Sequence, residues 1–158
     1  MKNKFTHIHA SGNPQMVDVS GKKVTHRMAK ARAVVFLGKE IMSLLKDDEL
    51  ITKKGPVFQT AIIAGVMGAK KTAELIPFCH PLGLEDVQIM ITPEKETVVI
   101  HATTRVTGKT GVEMEALTAA SIAALTVYDM CKALSHEITI KEVKLMEKVG
   151  GKKNFKRK

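Results

Sequence analysis

Asp129 and Lys132, in the string YDMCKAL, stand three residues apart, so on a helix they are neighbours. A carboxylate and an ammonium that perturb each other's proton affinity can work as an acid–base pair. The plainer reading is a helix-end ion pair, with Lys132 favoured by the negative end of the helix dipole. Burial decides between them. The stretch GVEMEALTAASIAALTVYDMCKAL (111–134) predicts one long, alanine-rich helix, apolar nearly all round and therefore buried. A buried ion pair is costly to keep for stability alone, which puts the chemical reading level with the structural one. Glu115, Thr118, Ser121 and Thr126 share the stripe of Asp129 and Lys132, interrupted by Ile122 and Leu125. Glu115 lies 14 residues before Asp129, or about 21 Å along the axis. The two cannot serve one small reacting centre within a single chain. They serve either two ends of a groove or a site assembled from two subunits. Glu113 and Glu115 also complement the dipole of the first turn without any chemical role.

VTGKTGVEME (106–115) places a Gly-Lys-Thr triplet between a predicted strand and this helix, where a phosphate-binding P-loop would sit. That loop needs a glycine five residues before Gly108, and the position holds Thr103. Thr103 to Thr107 is rich in β-branched residues and predicts strand, so the P-loop is rejected. The N–H groups opening the next helix still offer a place for an anion. In IPFCHPLGL (76–84), two prolines stiffen a segment carrying Cys79 and His80. Adjacent residues in extended chain point opposite ways, and no C-x-x-C or H-E-x-x-H exists, so no metal site is expected. His80 suits hydrogen bonding or proton handling on a rigid loop. Cys131 is assigned to the core. Lys53 and Lys54 precede Gly55; they are a solvated pair or an attraction for an anion at the next helix.

These residues need a scaffold. Residues 1–23 predict an extended arm and 24–37 a strand in their second half; 39–48 predict a short helix and 57–76 a longer one stopped by Pro77. Ala61, Ala64, Gly65, Gly68 and Ala69 give the longer helix a flat face for close packing. Residues 86–92 and 97–106 predict two strands joined as a hairpin, and 136–149 a last strand after the long helix. The fold class is α+β, a ferredoxin-like β-α-β-β-α-β sandwich with an extra N-terminal arm and a short helix. Because Val, Ile and Met populate the strands, the sheet face away from the helices is expected to meet a partner.

The 158 residues suit a single domain. The longest apolar run, 61–69, is too short to span a membrane. Two cysteines and the absence of an apolar leader point to a cytoplasmic protein. The formal charge of +9 is misleading, since residues 151–158 carry five positive charges and no acid, leaving a body of +4. That basic tail is expected to be flexible.

MVDVSGK, IAGVMGAKKTAELIPFCHPL and TGKTGVEMEALTAASIAALTVYDMCKAL together resemble the MoaC family, the cyclic pyranopterin monophosphate synthases of molybdenum-cofactor biosynthesis. The likeness covers roughly residues 5–152. It implies conversion of 3′,8-cyclo-7,8-dihydroguanosine 5′-triphosphate into cyclic pyranopterin monophosphate with release of pyrophosphate. It also implies a homohexamer, a trimer of dimers, with sites at dimer interfaces. On the matching positions it implies catalytic roles for Asp129 and Lys132. Substrate-binding roles fall to Lys54, Phe78, Cys79, His80, Met114 and Glu115. No cofactor is required, though Mg²⁺ can accompany a triphosphate, and Arg27 and Lys109 are further candidate phosphate cations. Two departures stand out: Pro56 where the family has Asp after Lys-Gly, and His9 where Asn or Asp is commoner. The rival reading is a non-catalytic ligand-binding or RNA-binding module. The latter is disfavoured by 4% aromatic residues, since RNA binders on this fold stack bases on strand aromatics.

Overall fold

The computed structural model describes residues 12–158; residues 1–11, with His9, lie outside the described residues. After a stretch without helix come β1 (Thr25–Phe36), α1 (Gly38–Met42), β2 (Leu45–Lys46), β3 (Glu49–Thr52) and β4 (Gly55–Pro56). Then follow α2 (Val57–Lys70), α3 (Thr72–Leu75), β5 (Asp86–Glu94) and β6 (Thr97–Gly108). The chain continues through α4 (Glu113–Cys131), β7 (Thr139–Val149) and β8 (Phe155–Lys156). The large sheet runs β5-β6-β1-β7-β8, antiparallel throughout. Its main strands with α2 and α4 make the ferredoxin-like β-α-β-β-α-β sandwich that the sequence predicts.

Alternation builds the sheet. On β1, Ala29, Ala31, Ala33 and Val35 are buried toward the helices, while Lys30 and Arg32 point away. On β6, Val98, Ile100, Ala102, Thr104 and Val106 do the same. The central strand is lined with alanine because α4 lies over it with Ala116, Ala119, Ala120, Ala123 and Ala124, all fully buried. Most of the strands' branched side chains lie on the inner face, while Val34 and Val99 pair on the outer one. The outer face is tied by ion pairs instead: Lys30 with Glu147, Arg32 with Glu142, Lys144 with Glu142, and Arg105 with Asp86. Among these charges Met90 stands exposed on the same face, opposite His101. Large apolar side chains are exposed on the helix layer, at Ile63, Met67 and Leu125.

The helix expected over 39–48 ends at Met42. The chain then folds into a small sheet, β2-β3-β4, whose strands are too short to show alternation. Asp47 and Asp48 make its first turn with φ of 50° and 59°, the left-handed geometry of a tight hairpin. The helix expected over 57–76 breaks at Lys71. There the Thr72 hydroxyl donates to the Ala69 carbonyl at 2.9 Å, competing with the helical ladder. The tail is also more ordered than expected. β8 pairs with Glu147 and Lys148 of β7, and the Arg157 N–H donates to the Met146 carbonyl at 2.7 Å, although the tail's side chains stay exposed.

The two long helices meet through glycine. A Cβ added at Gly65 would lie 2.9 Å from the Ala119 carbonyl oxygen and 3.2 Å from Ala123 Cβ. One at Gly68 would meet only side-chain atoms of Ile122, the nearest at 2.7 Å. Gly65→Ala is therefore predicted to lose about 1–3 kcal/mol of stability to overpacking, despite alanine's better helix propensity. Gly68→Ala should cost less, because a side chain yields more easily than a backbone carbonyl. Urea unfolding of both variants checks the order, and a harmless Gly65→Ala would refute it.

Candidate active site

Lys54 sits in the turn between β3 and β4, where its N–H donates to Thr52 Oγ1 at 3.2 Å. Gly55 follows with φ 109°, a conformation that glycine adopts freely. From this turn the Lys54 ammonium crosses to the end of α4. It donates to Asp129 Oδ2 at 2.8 Å and to the Asp129 carbonyl at 2.8 Å. Lys132 holds the other carboxylate oxygen, with Nζ 2.7 Å from Oδ1. Two cations thus flank one anion at the negative end of a 19-residue helix.

The expectation of a buried pair is corrected. The three side chains keep 45%, 54% and 55% of their exposure for Lys54, Asp129 and Lys132. The helix is not apolar all round: its sheet side is alanine, and its open side carries the polar stripe. The hydrogen bond from Lys132, then that from Lys54, holds the Asp129 carboxyl down at about 2. The same bond to Asp129 raises Lys132. In the free chain the pair is driven away from neutrality, so Asp129 is a fixed anion and Lys132 a fixed cation.

The other predicted residues gather at the opposite end of α4. Phe78, Cys79 and His80 lie between α3 and β5, and Met114 and Glu115 open α4. Phe78 and Met114 are exposed, Cys79 and His80 half-buried, and Glu115 buried. Burial pushes the Cys79 thiol up, and the charge of nearby Glu115 adds to that. Burial also drives the Glu115 carboxyl to about 7; its own backbone N–H opposes the rise and Glu113 reinforces it. Glu115 Oε2 has no hydrogen-bond partner. A half-neutral buried carboxylic acid beside a loop is suited to meeting a polar ligand. Cys131 is fully buried, as expected.

Lys54, Asp129 and Lys132 are therefore brought together, as are Cys79 and Glu115, but the two groups are not joined. They lie about 21 Å apart along one helix. One depression, about 900 Å³, is bounded by Phe36, Lys39, Glu96 and Lys141, and another, about 450 Å³, by Val66, Lys70, Leu84 and Asp86. Neither contains a candidate residue, so volume alone is a poor guide here.

The other phosphate candidates hold structure. Arg27 donates to the carbonyls of Gly108 and Lys109 at 3.0 and 3.1 Å, and Lys109 to that of Ser20 at 2.7 Å. Thr103 to Thr107 are strand, as the rejection of a P-loop requires. Among the described residues no three His, Cys, Asp or Glu side chains converge as a metal group. Among them also, no helix is long and apolar enough to cross a membrane. Sequence reasoning missed Glu49, whose carboxylate accepts from the N–H groups of Phe58 and Gln59 at the start of α2. The signal was available: Pro56 leaves that helix without a local acceptor.

A ferredoxin-like sandwich with a carboxylate clasped by two lysines at the end of its longest helix defines an α+β domain. Comparison narrows the class. The family model of MoaC matches residues 16–151, and the chain belongs to the MoaC family. It is 51% identical over 156 residues to the Molybdenum cofactor biosynthesis protein 1 of Drosophila melanogaster. That match covers 98% of this chain and 27% of the relative, so the chain spans about a quarter of the relative's length.

Glu115 generates a pH prediction. Its folded value, about 7, lies above its ordinary 4.5, so the protonated form is the one folding favours. Its contribution is full below the ordinary value and is lost as pH rises toward about 7. Stability should fall across that window in the wild type and flatten in Glu115→Gln. Urea midpoints measured at intervals from about pH 5 to about pH 8 check this, and identical slopes would refute it.

Proposed function

We propose that the protein is a cytoplasmic cyclic pyranopterin monophosphate synthase of molybdenum-cofactor biosynthesis. It takes the cyclised dihydroguanosine triphosphate and releases pyrophosphate. The observation that carries this reading is the Lys54–Asp129–Lys132 cluster in a chain of this family. A triphosphate arriving there competes with Asp129 for the two ammonium groups. Each one it wins removes a cause of the low Asp129 value, so the carboxyl rises toward the ordinary carboxylate range and becomes a usable base. A sugar hydroxyl can then lose its proton to such a base as its oxygen bonds to the α-phosphorus. The bond to the leaving pyrophosphate breaks, and the lysines offset the charge that leaves with it. Any Mg²⁺ would ride on the phosphate oxygens.

The site is read as shared between two chains of a homohexamer. Support comes from the separation of the two clusters and from their position on open surface. Lys54, Asp129 and Lys132 would come from one subunit, and Phe78, Cys79, His80, Met114 and Glu115 from its neighbour. A non-catalytic ligand-binding or RNA-binding role is the rival, and turnover of the cyclised nucleotide with pyrophosphate release separates them.

Asp129→Asn should lower that turnover at least about a hundredfold while leaving the circular dichroism spectrum unchanged; near-normal turnover would remove Asp129 from the mechanism. Cys79→Ser should keep measurable activity. Asp129→Asn and His80→Ala proteins, each inactive alone, should regain part of the activity when dissociated and reassembled together. No recovery in mixed dimers verified by mass spectrometry would place the whole site within one chain.

A further inference from the structure

Helix α2 begins without help from its own flank. Its N-cap is Pro56, which has no side-chain acceptor, and its first turn contains no acid. The first four N–H groups of a helix have no partner inside it. Two of them find one in Glu49, on β3. Oε1 accepts from the N–H of Phe58 at 2.8 Å, and Oε2 from that of Gln59 at 3.1 Å. Oε1 also accepts from the N–H of Leu50 at 2.8 Å. The carboxylate therefore fastens the base of the β3–β4 ribbon to the positive end of α2.

The ribbon carries Lys54 at its tip. It is closed by only two residue pairs, Ile51 with Pro56 and Thr52 with Gly55. Two further pairs join β3 to β2, Leu45 with Leu50 and Lys46 with Glu49, and a sheet this small does not hold its own conformation in water. Its direction relative to α4 comes from its ties to the helix layer: β4 runs straight into α2, Leu50 of β3 is buried in the core, and Glu49 grips the first turn of α2. The helix to which it is fastened is itself seated on α4 at Gly65 and Gly68.

We propose that Glu49 is a positioning residue: by capping α2 from β3, it holds the Lys54 turn so that the ammonium meets Asp129. The catalytic weight of that contact rests on the function proposed above, but the contact itself belongs to the free chain and is testable without substrate.

The test separates positioning from simple stabilisation. The Asp129 carboxyl is followed by NMR of aspartate-labelled protein from about pH 2 to about pH 6, with Lys54→Ala as the reference for a lost contact. In Glu49→Ala the Asp129 midpoint should rise by about one pH unit, toward that of Lys54→Ala. Glu49→Gln should shift it the same way, since one amide oxygen cannot replace two carboxylate oxygens. Adding Pro56→Asp to Glu49→Ala supplies a local cap. The unfolding midpoint should then recover while the Asp129 titration stays shifted, because a cap at position 56 does not tie β3 to α2. An unshifted titration in Glu49→Ala would overturn the inference. So would a titration that returns together with stability in the double variant, for Glu49 would then be only a helix cap. Should Glu49→Ala fail to fold, Glu49→Gln and the double variant decide the matter. Failure of the proposed synthase reaction would leave this result standing.

Discussion

The close seat of α2 on α4 is the constraint on which the remaining structure depends. Helices approach this closely only where side chains are absent, and Gly65 presents bare backbone to the Ala119 carbonyl. The alanines of α4 and β1 continue the arrangement downward, so helix and sheet are also in near-backbone contact. A core built of small residues gains little from any one side chain. It depends on many short contacts being satisfied together. It also fixes distances closely, and the functional groups depend on distances: α4 carries an end of each cluster, and α2 carries the ribbon that delivers Lys54.

The cluster at the end of α4 is electrostatically closed in the free protein. One carboxylate accepts from two ammonium groups, and one of these, Lys54, also donates to the Asp129 carbonyl. Such an arrangement keeps two lysines extended and oriented at half-exposed positions where their entropy would otherwise scatter them. The cost of ordering the lysines is met by the carboxylate before any ligand arrives. At the other end of the helix the logic is reversed. Glu115 has lost its water and has not been given a partner for Oε2.

The main architecture was legible in the sequence because it rests on periodicity. Alternation along β1 and β6 and the Ala-Gly face of α2 led directly to the sandwich and to the helix contact. Asp129 with Lys132 was equally legible, since three residues on a helix fix their neighbourhood. Three features were hidden for identifiable reasons. Lys54 meets Asp129 across 75 positions of chain, and no local pattern encodes that. The small β2-β3-β4 sheet has strands of two to four residues, below the length at which alternation can be read. The exposure of the Asp129 pair was misjudged because composition around a helix reports how apolar it is, whereas its side facing solvent is decided by what lies beneath. The alanine and β-branched positions of α4 would have looked the same on either side.

The pairing of β8 with β7 bears on solubility. A sheet edge with free N–H and C=O groups is a template on which another chain can grow. Here one edge ends in a strand of two residues, Phe155 and Lys156, set within a segment holding five of the chain's positive charges. A strand so short offers an incoming segment almost no ladder, and its charge repels a like copy of itself. The basic tail thus covers the last stretch of β7, at Glu147 and Lys148, with charged chain, and leaves the earlier part of that edge to the alternating charges of β7 itself.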